Sequence, residues 1–169
     1  GATALSHEHR IVPMTRDHVT GFHAVLDAVA REGRYLAFLE APPMARIRRF
    51  VRNNLRDRAP QFVALDGNRV IGWCDVSIRS HETLRHSGAL GMGLLSGYRG
   101  LGIGGNLLRL TLEEAARRGL TRIELVVRTD NQPAIALYRR NGFVTEARLR
   151  HYMVVNGTTQ DALLMARLG

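Results

Sequence analysis

Between residues 17 and 57 the apolar positions recur every three or four residues, the period of an amphipathic helix. Val19, Phe22, Val25, Leu26 and Val29 share one side of a first helix, with Asp17 as its expected N-cap and Gly33 as its end. Ile11-Val12, just before, reads as a short strand. Tyr35 to Leu39 is an apolar connection that runs into Pro42-Pro43. The prolines open a second helix from Met44 to about Asp57, which turns Ile47, Phe50, Val51 and Leu55 inward.

Beyond residue 60 the period changes. Gln61 to Leu65 and Arg69 to Ser77 read as strands joined across Asp66-Gly67-Asn68, a hairpin signal. Leu84 to Leu95 is a third strand, interrupted by glycine. Gly102 to Arg118 returns to helical spacing, with Leu107, Leu108, Thr111, Leu112 and Ala115 on one face and Gly119 as its stop. In Arg122 to Arg128 the residues Ile123, Leu125 and Val127 share one face and Glu124 and Val126 the other. Asp130-Asn131-Gln132-Pro133 starts a short helix that Asn141-Gly142 ends. Phe143 to Val155 and Thr158 to Arg167 are two strands turning at Asn156-Gly157. The order predicts an α+β fold: a single mixed, mostly antiparallel sheet flanked by helices. At 169 residues the chain fits one domain, 1–169.

Composition narrows the classes. Hydrophobic residues make up 45% of the chain, enough for a core. No apolar run approaches the roughly 20 residues that span a bilayer, so no membrane partner is expected. No basic segment followed by an apolar one opens the chain, so no signal peptide is expected. Cys74 is the single cysteine, which excludes an intrachain disulfide and a cysteine-rich metal site and fits a reducing, cytoplasmic setting. No metal is expected. The net charge is +9, and all 24 basic residues are arginines. Without lysine a Walker-type phosphate loop is excluded. The arginines are spread over the chain, with one cluster (Arg46, Arg48, Arg49, Arg52, Arg56, Arg58) that reads as a solvated helix face. They lack interleaved aromatics and a recognition-helix motif, so no nucleic-acid partner is expected.

The chemistry concentrates at Leu94 to Gly105, Leu-Leu-Ser-Gly-Tyr-Arg-Gly-Leu-Gly-Ile-Gly-Gly. A strand ends, a glycine-rich turn follows and a helix begins. Such a helix start offers unpaired N–H groups and the positive end of the helix dipole, and glycines let an anion approach the backbone. This reads as a pyrophosphate cradle, with Arg99 adding charge at its entrance. Gly100, Gly102 and Gly105 also match the dinucleotide pattern G-x-G-x-x-G, with Glu124 near the place of a ribose-binding acid. That reading fails on order and length: several antiparallel-looking strands precede the loop, and only 64 residues follow Gly105.

Arg99-x-x-Gly102-x-Gly104 followed by Leu107-Leu108, then Asn131-Gln132-Pro133-Ala134-Ile135-Ala136-Leu137-Tyr138 and Asn141-Gly142-Phe143, resembles the acetyl-CoA motifs of the GNAT superfamily of N-acetyltransferases. The resemblance covers Leu84 to Arg167 well and places an acetyl-CoA-binding core at about residues 84–143. It implies that the N–H groups of Gly100, Leu101, Gly102, Ile103, Gly104 and Gly105 hold the CoA pyrophosphate. It further implies that Leu94, Leu95 and Ser96 pair with the pantetheine arm, in an opening between this strand and the next. Asn131 would bind the CoA arm and Tyr138 would protonate the departing thiolate.

Acyl transfer from a thioester to an amine needs a deprotonated amine, a donor for the oxyanion and a proton for sulfur. The proton acceptor stays open among Asp75, Glu124, His86 and a water relay. Some relatives carry a glutamate where this chain has Val126; Glu124 shares its face, one pleat away. The acceptor pocket is expected from the N-terminal helices, the Tyr35 to Met44 connection and the last hairpin, with Tyr35, Phe38, Glu40, His151 and Tyr152. The ending Asp161 to Ala166 resembles members that act on amino acids or on peptide and protein N-termini, which favours a small-molecule or peptide amine as acceptor. A non-catalytic CoA-binding module of the same fold is the alternative. The C-terminal strand could pair across a homodimer.

Overall fold

The computed structural model describes residues 9–169. The first eight residues of the expected 1–169 domain lie outside the described residues. Seven strands form one sheet: β1 (His9–Pro13), β2 (Gln61–Asp66), β3 (Arg69–Ile78), β4 (Ser87–Leu94), β5 (Arg122–Arg128), β6 (Val144–Val155) and β7 (Thr158–Leu168). Their spatial order is β1-β2-β3-β4-β5-β7-β6, and only β4 and β5 run parallel. The helices are α1 (Val19–Arg31), α2 (Met44–Arg56), α3 (Ile103–Arg117) and α4 (Gln132–Arg140). The expected α+β class and mixed sheet are what the structure has.

Two cores follow from strand alternation. One face of the sheet packs Cys74, Val76 and Leu90 against Leu107, Leu108 and Leu112 of α3 and Ile135 and Tyr138 of α4. The opposite face packs Val63 and Trp73 under Phe22, Val25 and Val29 of α1 and Ile47 and Val51 of α2. Trp73 meets Phe22 edge-on at 5.7 Å between ring centroids.

Two expected boundaries move. Asp17 is not the N-cap of α1: it sits inside a 3₁₀ turn, Arg16–His18, that Thr15 caps with its backbone N–H donating to Nδ1 of His18 at 3.0 Å, and His18 then leads into α1. A threonine with a side-chain partner three residues on closes a reciprocal box that a lone aspartate does not. The third strand begins at Ser87 instead of Leu84, because Glu82–Leu84 winds into a 3₁₀ turn fastened by Ser87 Oγ donating to the Leu84 carbonyl at 2.8 Å.

Candidate active site at the divergence of β4 and β5

β4 and β5 pair over Ser87–Arg122, Gly88–Ile123 and Ala89–Glu124, and then separate. The direction of the freed backbone follows from the other edge of β4. Arg79 N–H donates to the Ser87 carbonyl at 3.0 Å and Leu95 N–H to the Ile71 carbonyl at 2.9 Å. Odd-numbered residues of β4 therefore bond to β3, and alternation turns the backbone of Met92 and Leu94 toward β5, which no longer pairs with them. The open edge is thus Met92 and the N–H of Leu94, whose carbonyl accepts from Arg99. Leu95 turns its N–H away, and Ser96 already begins a 3₁₀ turn, Ser96–Tyr98. The sequence singled out Leu94 to Ser96. Met92 was missed because only the register decides which N–H groups face the gap.

The open edge leads into the glycine loop. Gly100 and Gly102 hold φ of +78° and +83°, a left-handed backbone that disfavours any side chain. Those two turns lead directly into the start of α3. Among the described residues no N–H from Gly100 to Gly105 has an intramolecular acceptor; the first helical bond is Asn106 N–H to the Gly102 carbonyl at 3.1 Å. Six unpaired donors at the positive end of a 15-residue helix suit a pyrophosphate, and the adjoining free strand edge suits an amide-bearing arm. The residues present therefore fit acetyl-CoA.

Arg99 has another task than the one expected of it. Its guanidinium forms two bonds to Glu32 (2.8 and 2.6 Å) and two to the Leu94 carbonyl (3.0 and 2.7 Å), and lies 4.5 Å from the centre of the Tyr35 ring. Its charge is spent on a carboxylate, and it ties the end of β4 to the end of α1. Asn131 caps α4, its Oδ1 accepting from Ala134 N–H at 3.4 Å.

The catalytic candidates fall on opposite sides of the sheet. Tyr138 lies on the α3–α4 side, 8% exposed, its ring 5.7 Å from that of Phe143. Its hydroxyl has no hydrogen-bond partner among the described residues. Burial, helped by the nearby Cys74, pushes the phenol above its ordinary value, so it carries its proton throughout the working range. Burial likewise pushes the Cys74 thiol up, which makes it a core residue and not a nucleophile.

Asp75 lies on the α1–α2 side, 5% exposed, with no hydrogen-bond partner among the described residues. Burial alone lifts it to about 7. Its Oδ1 lies only 3.6 Å from the place where a Cβ on Gly91 would stand, so the bare Gly91 leaves a space over β4 beside the carboxylate. Glu124 is placed differently. Arg79 bonds one of its oxygens and Arg122 the other, at 3.0 Å, and Arg122 continues to Glu146 at 2.6 Å. His86 is exposed before the paired end of β4, about 26 Å along the strand from Leu94 at about 3.3 Å per residue.

Against this geometry the comparisons are specific. The profile of the Acetyltransferase (GNAT) family matches residues 23–143. The chain belongs to this family. By family it is an acetyl-CoA-dependent N-acetyltransferase. It is 37% identical over 99 residues to N-alpha-acetyltransferase 30 of Schizosaccharomyces pombe, covering 57% of this chain and 65% of that one. It is 31% identical over 109 residues to the L-amino acid N-acetyltransferase AaaT of Escherichia coli, covering 64% and 67%. The matched stretch thus spans about two thirds of these curated relatives. The ribosomal-protein-alanine N-acetyltransferase of Brucella melitensis superposes with a TM-score of 0.87 at 25% identity, over 95% of this chain and 99% of that one. The acetyltransferase yncA of Salmonella typhimurium, solved with its cofactor acetyl-CoA, shares the fold, with a TM-score of 0.87 at 17% identity over 95% and 93%. No helix among the described residues is long and apolar enough to cross a membrane.

Proposed function

We propose that this GNAT protein moves the acetyl group of acetyl-CoA directly to a primary amine, with Asp75 as proton acceptor and Tyr138 as proton donor. The observation that carries the reading is the split between β4 and β5, with an unpartnered buried carboxylate on one side of the sheet and an unpartnered buried phenol on the other. Acetyl-CoA supplies the activated acyl group as a thioester. The N–H groups of Gly100 to Gly105 hold its pyrophosphate, and the free edge at Met92 and Leu94 pairs with its arm. A backbone N–H of that edge polarises the thioester carbonyl. The amine enters over Gly91, where Asp75 takes its proton; nitrogen bonds to the acetyl carbon as the carbon–sulfur bond breaks. The Tyr138 hydroxyl returns a proton to sulfur.

Asp75 is preferred to Glu124 because both oxygens of Glu124 are already engaged by guanidinium groups. It is preferred to His86 because of distance. For the acceptor we infer an amino acid or the N-terminus of a peptide or protein. The support is the ending Asp161 to Ala166 and the names of the relatives: an L-amino acid N-acetyltransferase, an N-alpha-acetyltransferase and a ribosomal-protein-alanine N-acetyltransferase.

The test is a panel of free amino acids, dipeptides, polyamines and aminoglycosides with acetyl-CoA, read by thiol release in the wild type and in Tyr138→Phe. The expected result is turnover of an α-amine that falls about 10²-fold or more in the variant. Tight acetyl-CoA binding with no turnover of any amine, including a set of peptide N-termini, would mark the chain as a CoA-binding module.

A further inference from the structure

Beside Asp75, on the α1–α2 side of the sheet, lies a second buried group without a partner. Gln61 on β2 is 5% exposed, and its Nε2 has no hydrogen-bond partner among the described residues. Its Oε1 accepts from Asn54 Nδ2 of α2 at 3.2 Å, and the same Nδ2 lies 3.4 Å from Ser77 Oγ. Asn54 is also 5% exposed. The amides therefore have a direction: Asn54 donates to Gln61, which leaves Gln61 with a donor to spend.

Gln61 and Asp75 are opposite each other in the β2–β3 register. The neighbouring bond, Val76 N–H to the Pro60 carbonyl at 2.9 Å, makes Pro60–Val76 the hydrogen-bonded pair. Gln61–Asp75 is then the non-hydrogen-bonded kind, in which the two side chains share a face and stand closest, about 4.5–5.5 Å between Cβ atoms. One member is a buried amide donor without an acceptor. The other is a buried carboxylate without a donor. Buried polar groups are nearly always paired, and here each of the two lacks the partner that the other could supply.

We propose that Gln61 is a positioning residue of this site: it donates its Nε2–H to one oxygen of Asp75, held in that orientation by Asn54, and leaves the other oxygen facing the space over Gly91. The relay Asn54–Gln61–Asp75 fixes which lone pair meets the amine. It also stabilises the charged carboxylate against burial, which is otherwise unopposed. Among the described residues no charged side chain bears on Asp75: β2 presents Gln61, β4 the bare Gly91, α2 Asn54, and β3 itself Trp73 and Ser77, while the Cys74 thiol points to the other side of the sheet. The consequence for the amine rests on the reading of Asp75 given above; the contact itself does not.

The contact is tested by NMR on the full chain between pH 5 and 9. The Gln61 side-chain amide is expected to shift in step with the Asp75 carboxyl carbon, and Asp75→Asn is expected to abolish that shift. Kinetics test the relay. In Gln61→Leu the acid limb of kcat/KM is expected to move up by about one pH unit, because a donor to the charged form is lost. Gln61→Glu, of nearly the same shape, is expected to move it further. A merely structural role would change stability and leave the limb in place. A Gln61 amide that is silent across the range, or a limb fixed in both variants, would overturn the proposal. If the two resonances titrate together while Asp75→Asn keeps full turnover, the relay stands and the assignment of Asp75 as proton acceptor fails.

Discussion

On the α3–α4 side the site is made of backbone, with Tyr138 as the side chain that joins it. Its donors are the N–H groups of Gly100 to Gly105 and the free edge at Met92 and Leu94, placed by two left-handed glycines and a strand end. On the α1–α2 side it is made of side chains, above all a buried carboxylate that nothing neutralises. The two constructions carry different costs. Unpaired N–H groups at a helix start are there in every helix, so aiming them at a ligand costs little stability. A buried unpaired carboxylate opposes folding whenever it is charged. The first side can be built cheaply for a cofactor shared by a whole family. The second is maintained against the fold, and that points to reactivity.

The widest gap between the two sides should open in Asp75→Asn. We expect kcat/KM to fall about 10³-fold, within the range for removing a proton acceptor, with acetyl-CoA affinity unchanged. The same variant should gain stability. The carboxyl rests near 7 in the folded protein and near 3.8 ordinarily, so between those values the native state binds a proton that the unfolded chain does not. Wild-type stability is then complete below about pH 4, falls as pH rises toward 7 and is level above, by at most about 4 kcal/mol. Activity runs the other way, rising through pH 7 as the carboxylate forms. Thermal melts and rates across pH 4–9 check both signs; a flat melt profile in the wild type would refute a carboxyl at Asp75 that burial raises.

Tyr138→Phe comes next and acts from the opposite side of the sheet. The hydroxyl makes no hydrogen bond among the described residues, so its loss should leave the melting temperature within about 2 °C while turnover drops about 10²-fold. Stopped-flow thiol release checks it. An acetyl-CoA affinity that fell as far as the rate would make Tyr138 a binding group.

Gly102→Ala tests the backbone side alone. A side chain at φ +83° costs about 1–2 kcal/mol and tilts the start of α3. We expect acetyl-CoA affinity to weaken roughly 10-fold, in line with that cost, while the pH profile set by Asp75 stays in place. Calorimetric titration separates the two.

The same contrast explains how much was legible beforehand. The backbone side was readable because its requirements are local: glycines at Gly100 and Gly102, a helix at Ile103, a cap at Asn131 and a tyrosine seven residues on. β5 was read to the residue because Ile123, Leu125 and Val127 alternate against Glu124 and Val126 without a bulge. What escaped depends on partners far along the chain. Arg99 beside an anion cradle looks like a phosphate ligand until Glu32, 67 residues earlier, occupies it. Asp75 and Glu124 look alike on alternating strands. Only the assembled sheet puts Arg79, 45 residues from Glu124, against one of them and leaves the other bare. The choice of Met92 over Leu95 for the free edge depended on register, which residue types do not encode.

The smallest effect is expected at Glu124, and it is the sharpest test of that last distinction. Both its oxygens are held by arginines on the interior strand β5, where Arg79 remains half-exposed. In Glu124→Gln, Arg122 keeps its bonds to Glu146 while Arg79 loses its acid. Ion pairs of this exposure contribute about 0–1 kcal/mol, so the melting point should move by only a few degrees. Turnover should stay within about 3-fold of wild type, because neither oxygen was free to take a proton from an amine. A loss of 10²-fold or more, with Asp75→Asn left active, would move the proton acceptor from β3 to β5. It would also require Arg79 to release Glu124 when the amine binds, which an Arg79→Gln variant would then make unnecessary, raising activity above wild type.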